Sequence, residues 1–156
     1  MRRRTTREPW ARRDDDRVRV LLECEPHSSP SIIASVIERH GFAVRTCEGP
    51  SFDHCDLLEG GACALVDDAD VVVNMLRSRD RDVLAELAGR DPAPAVVAEM
   101  THAQASGAAG SDPGAGAPPY DLDRITVVET PVNTRALIEA INEAVGRSVR
   151  PALPAD

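Results

Sequence analysis

The chain has 156 residues, 42% of them apolar and 28% charged, with 18 basic against 26 acidic side chains and a formal charge of −8. That is one domain's length; no run approaches the roughly 20 apolar residues of a membrane span, and the composition suits neither a coiled coil nor a collagen-like rod. Every basic residue is arginine, which excludes lysine nucleophile chemistry, and four aromatics (Trp10, Phe42, Phe52, Tyr120) are too few to build stacking platforms for bases or flavins.

Residues 1–13 hold six arginines against Glu8, and Asp14, Asp15 and Asp16 follow directly. With so little to bury, residues 1–16 read as a disordered, arginine-rich arm. The arm carries +5 over residues 1–13, so the remainder carries −13. An acidic body disfavours nucleic-acid binding, because phosphate contacts supply most of that affinity, and leaves the arm as the one segment suited to it. No apolar stretch follows the opening arginines, so no secretory leader is expected and the four cysteines point to a reducing cytoplasm.

Val18, Val20, Leu21 and Leu22 predict a first strand that ends at Glu23-Cys24-Glu25-Pro26. Ser29 and Pro30 form a cap and first-turn pair, and Ile32, Ile33, Val36 and Ile37 recur at helical spacing until His40-Gly41. Phe42, Val44 and Thr46 alternate as a second strand running to Cys47, and Gly49-Pro50 breaks it. Residues 50–68 read as a long loop with one poor helical turn. Ala69 to Leu76 contains three consecutive valines, the pattern of a central parallel strand buried on both faces. A helix is expected over about 79–89, then a fourth strand from Ala95 to Met100.

Residues 103–119 hold 13 Ala, Gly or Pro out of 17, so a weak turn or loop is expected where a full helix would otherwise stand. Ile125, Val127 and Val128 supply a fifth strand, stopped by Pro131. Asn133 caps a final helix with Leu137, Ile138, Ile141 and Val145 on its buried face, closed by Gly146. Strands alternating with helices imply right-handed parallel crossovers. The expectation is therefore an α/β fold over residues 17–148, a doubly wound five-stranded parallel sheet of order 2-1-3-4-5, flavodoxin-like, with a weak or missing fourth helix. Residues 149–156 form a short Pro-rich tail. In this architecture functional groups collect at the carboxyl ends of the strands.

The segment VLLECEPHSSPSIIASVIERHGFAVRTCEGP resembles the opening of bacterial response-regulator receiver domains, and ITVVETPVNTRALIEAINEAV resembles their end. The resemblance covers roughly residues 18–147. It implies a site built from an acidic pair after the first strand, a phosphoacceptor aspartate after the third, a hydroxyl residue after the fourth and a lysine before a proline after the fifth. Carried across position by position, Glu23 and Cys24 stand for the acidic pair with Glu25 beside them, Asn74 or Met75 for the phosphoacceptor, Glu99 near the hydroxyl position, and Thr130 for the lysine before Pro131. Neither an amide nor a thioether can accept a phosphoryl group, and a cysteine is a poor magnesium ligand. Asp67, Asp68 and Asp70 precede the valine run and stand at the wrong end of the strand to substitute.

The resemblance and these departures together lead to the expectation of a pseudo-receiver: a non-catalytic, phosphorylation-independent regulatory domain that meets a protein partner through the carboxyl edge of the sheet and residues 125–145, with a homodimer as one form of that partnership. The alternative is a thiol-based redox or metal sensor. Cys47, Cys55 and Cys63 are evenly spaced, His54 adjoins one of them, and Cys24 would sit beside Cys47 if the first two strands are neighbours, a set that would suit zinc. No CxxC pair marks such a site, and buried cysteines commonly act as small hydrophobes. Otherwise no cofactor is expected. His27 and His40 fall at helix ends, where capping or exposure explains them. Gly107, Gly110, Gly114 and Gly116 match no phosphate-binding loop.

Overall fold

Five runs rich in aliphatic residues form one parallel sheet: β1 (Arg19–Cys24), β2 (Ala43–Cys47), β3 (Val71–Met75), β4 (Ala95–Met100) and β5 (Ile125–Glu129), in the order β2-β1-β3-β4-β5. The computed structural model describes residues 10, 16–51, 55–60, 62–76, 80–106 and 122–149. β1 is buried along its whole length and β3 along all but its last residue, as a strand covered on both faces requires.

The sheet separates two apolar clusters. One face carries Val20, Leu22, Cys24, Val71, Val73, Val97 and Val128, covered by α1 (Pro30–Arg39) and α6 (Thr134–Val149) through Ile37, Leu137 and Ile141. The other carries Leu21, Val72, Val96, Ala98, Met100 and Ile125. Its cover comes from α2 (Asp56–Gly60), α3 (Ala64–Asp67) and α4 (Asp80–Ala88), with Leu57, Leu65, Val66, Leu84 and Leu87 facing inward. Residue alternation along each strand sends odd and even side chains to opposite faces, and both sets are apolar here. A single-turn helix, α5 (His102–Ala105), follows β4 where the weak fourth helix was expected. Thr101 caps it, its hydroxyl accepting from the Gln104 amide while the Gln104 side chain accepts from the Thr101 amide. Residues 107–121, with the glycines of that loop, lie outside the described residues.

Four local expectations are corrected. The stretch 50–68, read as a long loop with one poor helical turn, begins within a 3-10 turn at Gly49–Ser51 and contains two short helices, α2 and α3, because Leu57 gives the first and Leu65 and Val66 give the second a face to bury. Ser29 precedes α1, but its side chain makes no capping bond; its φ of 56° ends the preceding 3-10 turn in the left-handed region instead. Thr46 does not continue the buried alternation of Phe42 and Val44 and is exposed on an edge strand. Gly146 does not end the last helix, which runs on to Val149. Asn133 does cap it, accepting from the Ala136 amide at 2.8 Å. From the segment read as an arm, Trp10 packs half-buried against the α2–α4 face.

Candidate functional site

The carboxyl ends of β1, β3, β4 and β5 form the rim where all eight residues singled out from the sequence fall. β1 and β3 pair in register, Glu23 opposite Asn74 and Cys24 opposite Met75. Glu23 and Asn74 lie on the face shared with Leu21 and Val72 and are buried to 3% and 1% exposure. The Asn74 side-chain amide donates to the Glu23 carboxylate at 2.8 Å, and its carbonyl oxygen accepts from the Leu76 amide at 3.3 Å. A buried carboxylate needs donors, and Asn74 supplies one without adding charge.

Cys24 and Met75 turn to the opposite face, with Leu22 and Val73. By the same alternation Glu99 and Thr130 project to that side, where the Thr130 hydroxyl donates to the Glu99 carboxylate at 3.2 Å. Six of the eight therefore split into two groups on opposite sides of the sheet. Of the two candidates for the acceptor position, Met75 is the one that shares its side with Cys24, Glu99 and Thr130. That group offers a thiol, a thioether, one carboxylate and a hydroxyl. Two soft sulfurs and a single carboxylate are ill suited to magnesium, which takes clustered hard oxygens. Glu25 sits outside both groups, half-buried and paired with His27 at 2.8 Å. Pro131 is exposed after a cis Thr130–Pro131 peptide.

Sequence reasoning missed two features of this rim. His102, at the start of α5, lies 3.2 Å from Glu129; the pairing of Met100 with Glu129 that brings them together is visible only once the register is known. Ile32, in the first turn of α1, is 65% exposed and is the large apolar side chain that the described residues leave standing in water. The aspartates set aside on the sequence are engaged at the other end of the sheet: Asp70 accepts from the Arg19 amide at 2.9 Å, and Asp67 pairs with Arg90. A cavity of about 730 Å³ at that end is lined by Arg90, Arg124 and Arg147 together with Asp91 and Asp123, an excess of one positive charge.

The four cysteines divide between the two faces of the sheet. Register places Glu23, not Cys24, opposite Cys47, and Cys24 points into the α1–α6 layer. Cys47, Cys55 and Cys63 belong to the core beneath α2 and α3. All four are buried free thiols, and among the described residues no group of three or more His, Cys, Asp or Glu is placed to hold a metal. His54 lies outside the described residues. Nor is any described helix long and apolar enough to cross a membrane.

Comparison with known structures places the fold. The chain is similar to a response regulator receiver domain from Clostridium thermocellum (21% identity, TM-score 0.56), over 84% of this chain and 96% of that one. It is similar to an orphan response regulator of H. pylori (16%, 0.53), over 82% and 96%. A CheY-like receiver domain from Methanospirillum hungatei matches at 15% identity and 0.56 over 84% and 95%. No family profile matches the sequence, and no curated protein matches it. The chain thus has the receiver fold, the doubly wound order expected from the strand and helix pattern.

Proposed function

We propose that this chain is a receiver-like regulatory domain that works by protein contact, without accepting a phosphoryl group. The observation that carries the reading is the side-by-side placement of Met75 and Cys24 at the tips of β3 and β1. A thioether has no oxygen with which to form an acyl phosphate, and a thiol beside it withdraws one ligand from any magnesium cluster. The carboxylate this side of the rim adds, Glu99, accepts from the hydroxyl of Thr130, the residue to which the receiver resemblance assigns the lysine position. The neighbouring Glu23 is turned to the other face and engaged by Asn74.

With phosphoryl chemistry disfavoured, the surface remains as the means of signalling. The exposed Ile32 stands beside this rim, and the exposed Glu129 and His102 extend it toward β5 and α6. Such a domain needs no cofactor, and a reducing cytoplasm agrees with four free thiols.

The test is incubation with acetyl phosphate and magnesium, and separately with beryllofluoride, beside a working receiver as control. Intact-mass measurement is expected to show no phosphoryl adduct on this chain. An acid-labile adduct mapping to the rim would overturn the reading.

A further inference from the structure

Trp10 lies within an arginine-rich segment, yet three groups of the folded domain converge on it. Its indole N–H donates to the Leu65 carbonyl oxygen in α3 at 2.9 Å. The guanidinium carbons of Arg19 and Arg45 each lie 5.7 Å from the ring centroid. The register explains why both reach one ring: Arg19 stands opposite Ala43 and Leu21 opposite Arg45, so the two arginines are diagonal neighbours on adjacent strands, odd-numbered and on one face. The ring also packs on the apolar cluster containing Leu65, and Arg45 reaches it from edge strand β2.

Charge alone does not account for two arginines meeting here. Arg45 Nε is buried with no hydrogen-bond partner among the described residues. The negative face of an indole offsets the loss of water around such a group, whereas an aliphatic side chain would not. Leu65 O offers an acceptor that an indole can use and a phenyl ring cannot. The three groups together are specific for tryptophan, and the chain contains one.

We infer that Arg19, Arg45 and the Leu65 carbonyl form an indole seat, filled by the chain's own Trp10. The seat thereby holds Trp10, which belongs in sequence to the +5 stretch of residues 1–13, against a remainder that carries −13. The seat is thus an interaction surface whose occupant is a segment of the same molecule, separate from the rim at the carboxyl ends of the strands.

Because Trp10 is the sole tryptophan, its emission reports the seat directly. In the full-length protein the emission is expected to be blue-shifted and poorly quenched by acrylamide, at every protein concentration. Arg45→Gln should red-shift it and raise quenching toward that of a free indole while far-UV dichroism stays unchanged, the docked fraction shifting by roughly tenfold for the loss of one partly desolvated cation–π contact. In Trp10→Phe and Trp10→Leu, cleavage after Arg12 and Arg13 by an arginine-specific protease should accelerate, more for leucine than for phenylalanine. Wild-type emission at the fully solvated position would overturn the inference. So would a blue shift that vanishes on dilution, which would assign the seat to a second copy's tryptophan.

Discussion

Asn74 and Glu23 form a buried amide–carboxylate pair at 2.8 Å, opposite each other on the two central strands. Replacing the amide by a second acid tests what the pair contributes. Asn74→Asp removes the donor and sets two carboxyls against each other, which raises the pKa of one above its unfolded value. A carboxyl whose folded pKa is raised takes up its proton more readily in the folded state, so the penalty is absent below the unfolded pKa near 4 and grows as pH rises above it. The variant should lose about 3 kcal/mol at neutral pH and recover part of that loss near pH 5. Urea denaturation at both pH values checks this; an equal loss at each would show that like-charge repulsion is not the cause.

Two glycines should respond to alanine with opposite signs. Gly49 has φ +68°, and a Cβ there would meet Leu76 Cδ1 at 2.5 Å, next to the rim. Gly49→Ala is expected to cost about 2–4 kcal/mol from backbone strain and overpacking combined. Gly146 lies inside α6, where an added Cβ would find nothing within 4 Å, so Gly146→Ala should stabilise by about 0.5–1 kcal/mol. Thermal denaturation of the two variants beside the wild type decides both signs.

Leu21 is fully buried on the middle of β1, in the cluster covered by α2–α4. Leu21→Ala should cost about 2–5 kcal/mol, the sum of lost transfer energy and a residual cavity. The partly exposed Ile138 of α6 should cost well under half as much on truncation. Comparable losses at the two sites, read from urea midpoints, would contradict the placement of the core.

The thiols separate the contact reading from a sulfur-based one. Protein purified under reducing conditions should titrate four thiols once unfolded, only slowly while folded, and carry no stoichiometric zinc. A metal-to-protein ratio near one by elemental analysis, lost on chelation, would favour a metal site that includes Cys47, Cys55 or Cys63.

Much of the architecture was legible because its signals are local. Val71, Val72 and Val73 demand burial on both faces, and the bounds of β4 follow from Pro94 before it and polar Thr101 after it. The two short helices between β2 and β3 were not legible: each has too few residues to show a helical period, and each exists because a few leucines and a valine find the sheet. The rim residues could be named from the strand ends, but the side each one faces depends on register, which no local pattern reveals. For that reason Cys24 and Cys47 look like neighbours in the sequence and occupy different layers in the fold. Trp10 was hidden among arginines whose charge suggests solvent, although two arginines of the domain are what receive it.

The covers of the sheet are unequal. One consists of helices of 10 and 16 residues; the other begins with pieces of 5 and 4 residues before the 9 of α4. Short helices hold few internal hydrogen bonds and open with little cooperation from their neighbours. Transient opening will therefore begin on the fragmentary side, where backbone amides should exchange with deuterium soonest, while α6 and the central strands stay protected until the whole molecule unfolds.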